Sequence, residues 1–206
     1  ENIANGDPFG VYKDNSPFNM FIRIAVNNIR VSFLTFMGGF SFGFFTIYLM
    51  WSNGIMLGCF EYLFFSQGLG MQSVLVIWIH GTIEIGSIII AGAAGFILAN
   101  GILFPGTYSR MASFRRGAKD AVKVLICLIP FFITAAFLES YITHLMSQTY
   151  DKADNTGLPV WASILILASS LWLMVWYFVI WPLKLSKRGK VQMNDGIIAR
   201  LNQPHA

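Results

Sequence analysis

Apolar residues come in long blocks along this chain, with the polar ones gathered at a few breaks. Uncharged runs cover residues 31–60, 85–109 and 155–183. A helix rises 1.5 Å per residue, so about 20 apolar residues cross a 30 Å hydrocarbon layer. The first membrane helix is predicted over Ile29–Trp51, with Gly39 and Gly43 spaced to let another helix approach. Ser52-Asn53-Gly54 reads as a turn, and Ile55–Phe65, broken by Glu61, as a short span or re-entrant half-helix. Met71–Phe104 is too long for one upright helix, so it tilts strongly or breaks near Gly92–Gly95 or Asn100-Gly101. Pro105-Gly106 opens a loop, and Arg110–Lys123 reads as a basic amphipathic connector. Val124–Met146 is the next span, kinked at Pro130 and carrying Glu139 and His144. Pro159–Trp181 is the last, rimmed by tryptophan.

Ahead of the first span, Ser16-Pro17 has the form of a helix start. Phe18, Phe21, Ile22, Ala25 and Val26 then share a face, opposite Asn19, Arg23, Asn27 and Arg30. That is the pattern of a helix lying in the membrane interface, or of the wet first turns of the next span. The fold class expected is an all-α, polytopic helical membrane protein with four full spans and a short or re-entrant half-helix at 55–65. Its parts would be an extracytoplasmic loop and interfacial helix at 1–28, a transmembrane domain at 29–182 and a cytoplasmic basic tail at 183–206.

Composition agrees. The 206 residues are 55% hydrophobic and 16% aromatic, but only 12% charged, against about 25% in soluble domains. Mean hydropathy is +0.60. The net charge of +4 sits in clusters, so it reports membrane topology and not nucleic-acid binding. Positive charge at 107–123 and 184–190 puts both on the cytoplasmic side, with the C-terminus cytoplasmic and the 147–158 loop outside. If 55–65 crosses, residues 1–28 lie outside; if it re-enters, Ile29 starts inside. The wet look of Asp7-Pro8 and Asn27-Asn28 favours crossing. The chain opens on Glu1, so a longer chain, with a membrane helix upstream, is expected. Cys59 and Cys127 read as small buried hydrophobes.

Candidate chemistry starts at His80 and Glu84, one helical turn apart in an apolar run. A carboxylate in lipid is costly, and the usual escape is a partner or a neutral proton. Glu139, in another span, can approach across a helix pair. The cluster reads as a clasp fixing helix packing, as a proton- or ion-sensitive pathway, or as groups snorkelling to the interface. His-x-x-x-Glu with no third ligand nearby gives no metal site. No nucleophile elbow, phosphate loop or dinucleotide fingerprint is present, so no catalytic residue, cofactor or enzymatic activity is expected. Arg110, Arg115, Arg116 and Lys119 would meet anionic lipid or a cytoplasmic partner, an ATPase being one candidate. Gly92 and Gly95 join Gly39 and Gly43 as helix-packing positions.

Taken together, several motifs resemble the stage II sporulation protein M family of integral membrane proteins. They are Asn27-Asn28-Ile29, the glycines of 38–43, Asn53-Gly54 with Gly58, His80-Gly81-x-x-Glu84-Ile85, Ala91-Gly92-Ala93-Ala94-Gly95, Pro105-Gly106 with Ser109-Arg110, and Glu139. The resemblance runs from about residue 1 to 144, with His80, Glu84, Arg110 and Glu139 as its polar positions. It implies a multi-pass cytoplasmic (inner) membrane protein without established enzymatic activity. The namesake works with a peptidoglycan-degrading protein and another membrane-anchored protein during engulfment. The expected role is thus a scaffold or anchor in a bacterial cell-envelope complex, with membrane lipid, envelope proteins and further copies of the chain as partners. Relatives also occur in bacteria and archaea that do not sporulate. A transporter or permease-like subunit with a polar path through His80, Glu84 and Glu139 is the alternative, and an intramembrane enzyme a third.

Overall fold

The computed structural model describes residues 16–143 and 159–187. Every regular element among them is helical. In order they are α1 (Pro17–Met37), a 3₁₀ turn (Gly38–Ser41), α2 (Phe44–Ser66), α3 (Gly70–Leu103), α4 (Arg110–Phe137) running into a π-helical turn (Leu138–Thr143), and α5 (Val160–Val175). A second π turn (Trp176–Ile180) and α6 (Trp181–Lys187) follow. The stretches Pro17–Ser41, Gly70–Leu103, Arg110–Thr143 and Val160–Leu185 are long and apolar enough to cross a membrane. The chain is an all-α, multi-pass membrane protein.

The first break falls earlier than the sequence suggests. The chain turns at Phe42 and Gly43, which take φ of 58° and 91°, a left-handed bend that glycine tolerates best. Ser52-Asn53-Gly54 does not turn. Asn53 bonds back to the Leu49 carbonyl at 2.8 Å, which satisfies its amide inside the helix. Residues 55–65 are therefore the second half of the 23-residue α2 and not a separate half-helix. α2 also falls outside the four stretches apolar enough to span, because Ser52, Asn53, Gly54 and Glu61 interrupt it.

α3 is one helix of 34 residues, unbroken at Gly92–Gly95 and Asn100-Gly101. Its glycines serve close packing. A methyl group on Gly39 would strike the Gly95 carbonyl oxygen, one on Gly92 the Met50 sulfur, and one on Gly43 would lie 3.1 Å from the Phe96 ring. The four glycines singled out in the sequence thus meet at one junction of α1, α2 and α3, although Gly39 and Gly43 sit in a turn and not along one helix. Thr46 closes the junction by donating to the Thr35 carbonyl at 2.8 Å.

α4 merges the basic connector and the following span into one helix through Pro130. It is antiparallel to α3 in one register: Gly101 lies against Gly117, Leu98 and Ala121 share a core cluster, His80 faces Glu139, and Val76 faces Thr143. α2 also runs antiparallel to α3, from Thr46 beside Gly95 to Glu61 beside Ser73. At the start of α3, a core of Phe64, Val76, Ile77 and Ile79 gathers Met20, Leu138, Ile166 and Leu167.

α1 is continuous across residue 28; Arg23, Asn27 and Arg30 are exposed, as expected of a wet face, but Asn28 is buried. The helix buries Ala25, Asn28, Ser32, Thr35 and Phe36, while Phe18 and Val26 are each 61% exposed. Small and hydroxyl-bearing residues face the bundle and large apolar ones face out, as suits a chain whose outer solvent is hydrocarbon. Cys59 and Cys127 are likewise exposed and not buried. The described residues from Leu171 to Lys187 belong to a separate unit, in which Trp176 stacks on Trp172 and tilts against Trp181. His144, the 147–158 loop, residues 1–15 and the tail beyond Lys187 lie outside the described residues.

Candidate functional site: a polar cluster across three helices

Three elements deliver the site. α3 presents His80 and Glu84 one turn apart. The antiparallel register brings Glu139, in the π turn at the end of α4, level with them. One nitrogen or oxygen from each of His80, Glu84 and Glu139 lies within 4.8 Å of the others. His80 Nε2 is 3.8 Å from Glu139 Oε2, with the imidazole buried and the carboxylate nearly so. The π turn widens the helix locally, a distortion that recurs at functional sites, and it places Glu139, Ser140 and Thr143 together on α4.

The imidazole is fixed from behind. His80 Nδ1 is 3.1 Å from Thr143 Oγ1, which donates to the Val76 carbonyl at 3.5 Å. A hydroxyl has one proton, so one that donates to Val76 accepts from Nδ1–H. With that donation His80 is the Nδ1–H tautomer and its Nε2 lone pair faces Glu139; a hydroxyl that donates to Nδ1 instead leaves the proton on Nε2, aimed at the carboxylate.

α1 contributes what the sequence reading missed. Asn28, expected on a wet face, is 3% exposed and lies against Glu84. Its amide nitrogen makes no hydrogen bond of proper length and angle. With Glu84 and Glu139 it borders a cavity of about 720 Å³, whose rim includes Arg23, Asn27 and Arg30. The signal available in the sequence was the i, i+4, i+7 row Asn28, Ser32, Thr35, a polar stripe in an otherwise apolar segment.

A third acid, half-buried, is held by neutral donors. Glu61 of α2 accepts from Trp78 Nε1 at 2.8 Å and from Ser73 Oγ at 3.0 Å. It ties the far end of α2 to α3. In sequence it registered only as an interruption.

Arg110, Arg115, Arg116 and Lys119 lie exposed on the first turns of α4. Arg116 donates to Tyr108 at 2.9 Å and lies over its ring. The opposite side of these turns, with Ser113, Gly117 and Ala121, packs on α3, so the basic row is one face of a docked helix.

This is a polytopic helical membrane protein with a carboxylate–imidazole cluster inside its bundle. The model of the stage II sporulation protein M family matches residues 1–144, and the chain belongs to that family. It is also similar to an uncharacterised protein of Methanocaldococcus jannaschii, 30% identical over 135 residues, which cover 64% of this chain and 75% of the archaeal one. No solved structure matches it.

Proposed function

We propose that the chain is a non-enzymatic membrane component of a cell-envelope complex, a scaffold that seats partner proteins through α2. One observation carries this reading. Gly54 and Gly58 form a small-x-x-x-small pair on α2, and nothing lies within 4 Å of where a side chain would start on either. The helical glycines of the α1–α2–α3 junction and of the α3–α4 hairpin are instead packed against backbone or side chains. Such pairs are the seams by which membrane helices associate. Here the seam is left uncovered by the chain's own helices, on a helix that buries only Thr46 and Phe64.

The positive-inside rule orients the assembly, with Arg110, Arg115, Arg116 and Lys119 on the cytoplasmic side, available to anionic lipid or a cytoplasmic ATPase. α2 runs alongside α3 over most of its length, which supports a full crossing and an extracytoplasmic start of α1. The test is purification from native membranes without crosslinker. The parent should carry envelope or ATPase partners, and a Gly54→Leu, Gly58→Leu double variant should lose them at least tenfold while keeping its own thermal stability. Partners retained by that variant would end the proposal.

A second reading, a permease-like subunit, draws on the cavity reaching Glu84 and Glu139. It requires water access to that cavity from both sides of the membrane. Labelling of Asn27→Cys, in a Cys59→Ser, Cys127→Ser background, by a water-soluble maleimide from one side only would refute it.

A further inference from the structure

Two carboxyl groups and an imidazole meet inside an apolar bundle, and among the described residues no arginine or lysine is in contact to balance the carboxylates when they are ionised. Arg23 and Arg30 border the same cavity, but both are exposed. No arginine or lysine forms an ion pair with Glu84 or Glu139 among the described residues; the one basic group within 4.0 Å is His80. His80 Nε2 faces the Glu139 carboxylate across 3.8 Å, and in the Nδ1–H tautomer it presents a lone pair there. Two electron-rich atoms facing each other in a low-dielectric setting repel unless something positive lies between them.

We propose that His80, Glu84 and Glu139 bind a divalent transition-metal ion, with the side chain of Asn28 as a fourth ligand. Four features favour this over shared protons alone. First, two carboxylates match the charge of a divalent ion, so the neutral site is the loaded one. Second, the donor set fits: one imidazole with carboxylate oxygens suits zinc, manganese or iron rather than magnesium or calcium. Third, the second layer is already built. A ligating histidine commonly passes its other N–H to a fixed acceptor, and here Nδ1 meets Thr143, itself anchored on the Val76 carbonyl. Fourth, Asn28 is an independent pointer. It is 3% exposed, borders the cavity beside both carboxylates, and its amide nitrogen lies towards Glu84 without a hydrogen bond of proper length and angle. Amide oxygen and nitrogen exchange places by a half-turn of the side chain, and that turn would offer an oxygen ligand to an ion held beside Glu84.

The dimensions are compatible. Ligands at about 2.0–2.1 Å from a tetrahedral zinc lie about 3.3 Å apart. The present spacings of up to 4.8 Å close to that by modest side-chain rotation. Glu139 is the third ligand that the spacing along one helix could not supply. The site joins α1, α3 and α4, so a bound ion would lock three helices, whatever partner α2 takes.

The experiment uses the full chain purified in detergent, stripped with chelator, then reloaded separately with zinc or manganese and desalted. Metal is counted by mass spectrometry. The expected result is about one ion per chain with at least one of the two metals. Binding should fall at least tenfold in His80→Ala and in the double variant Glu84→Gln, Glu139→Gln, and remain in Glu61→Gln, whose acid lies outside the cluster. X-ray absorption of the loaded parent guards against variants that fail to fold: a shell of one imidazole nitrogen with oxygens supports the site. A shell containing sulfur overturns it, as does a parent that retains no more metal than the double variant.

Discussion

Gly39 and Gly95 meet so closely that the carbonyl oxygen of one occupies the space where a side chain on the other would begin. Backbone rather than a flexible side chain stands in the way, so relief requires moving a helix. Gly39→Ala should therefore cost about 1–3 kcal/mol, as overpacking does in dense cores. Thermal unfolding in detergent reads this directly. A variant as stable as the parent would mean that the junction of α1, α2 and α3 is looser than described.

The imidazole of His80 depends on Thr143 for its orientation. Thr143→Val keeps the shape but removes the hydroxyl and leaves Nδ1–H without its partner. The expected loss is about 0.5–2 kcal/mol, the range for hydrogen bonds in membrane helices. Thr143→Ser should stay close to the parent. Equal losses in both variants would assign the effect to packing.

Glu61 and Trp78 provide a test at the other end of α2. Trp78→Phe deletes the 2.8 Å donor to the Glu61 carboxylate, and Glu61→Gln keeps an acceptor for it. The first should lower stability by about 1–3 kcal/mol, and the second by clearly less. The reverse order would show that the charge of Glu61 and not its acceptor geometry holds α2 to α3.

Cys59 and Cys127 report on the outer surface. Both are exposed, within apolar stretches, and so should face acyl chains. A fluorophore attached at either cysteine in reconstituted vesicles should be strongly quenched by lipids brominated along their chains. Little quenching at Cys127 would place the outer face of α4 in water or against a protein.

Much of the fold was legible because length and apolarity alone limit what a 30 Å hydrocarbon layer accepts. The helix class and the presence of several membrane-length stretches followed from that. Boundaries did not, and the reasons are local. Asn53-Gly54 has turn-forming residues, but in an apolar setting the Asn53 amide is satisfied on its own helix, while the true bend fell at Phe42-Gly43. On α1 only Asn28 was misplaced, because it was grouped with its exposed neighbour Asn27. With lipid outside, Val26 faces out and Asn28 faces in. His80 and Glu84 stood out through their charge, and the register of a single hairpin brought Glu139 to them. Asn28 and Thr143 were not legible as neighbours of that pair, because only tertiary packing joins α1 and the π turn to α3.

The cluster is assembled from parts made at different times. Fifty-five residues separate Glu84 from Glu139, so at about 5–20 residues per second Glu84 exists for roughly 3–11 s before its companion is synthesised. During that interval Asn28 is the only member of the cluster from another helix already in place. Until then Glu84 has to stay neutral by keeping its proton or find shelter beside α1, so the cluster reaches its final form only when α4 packs on α3.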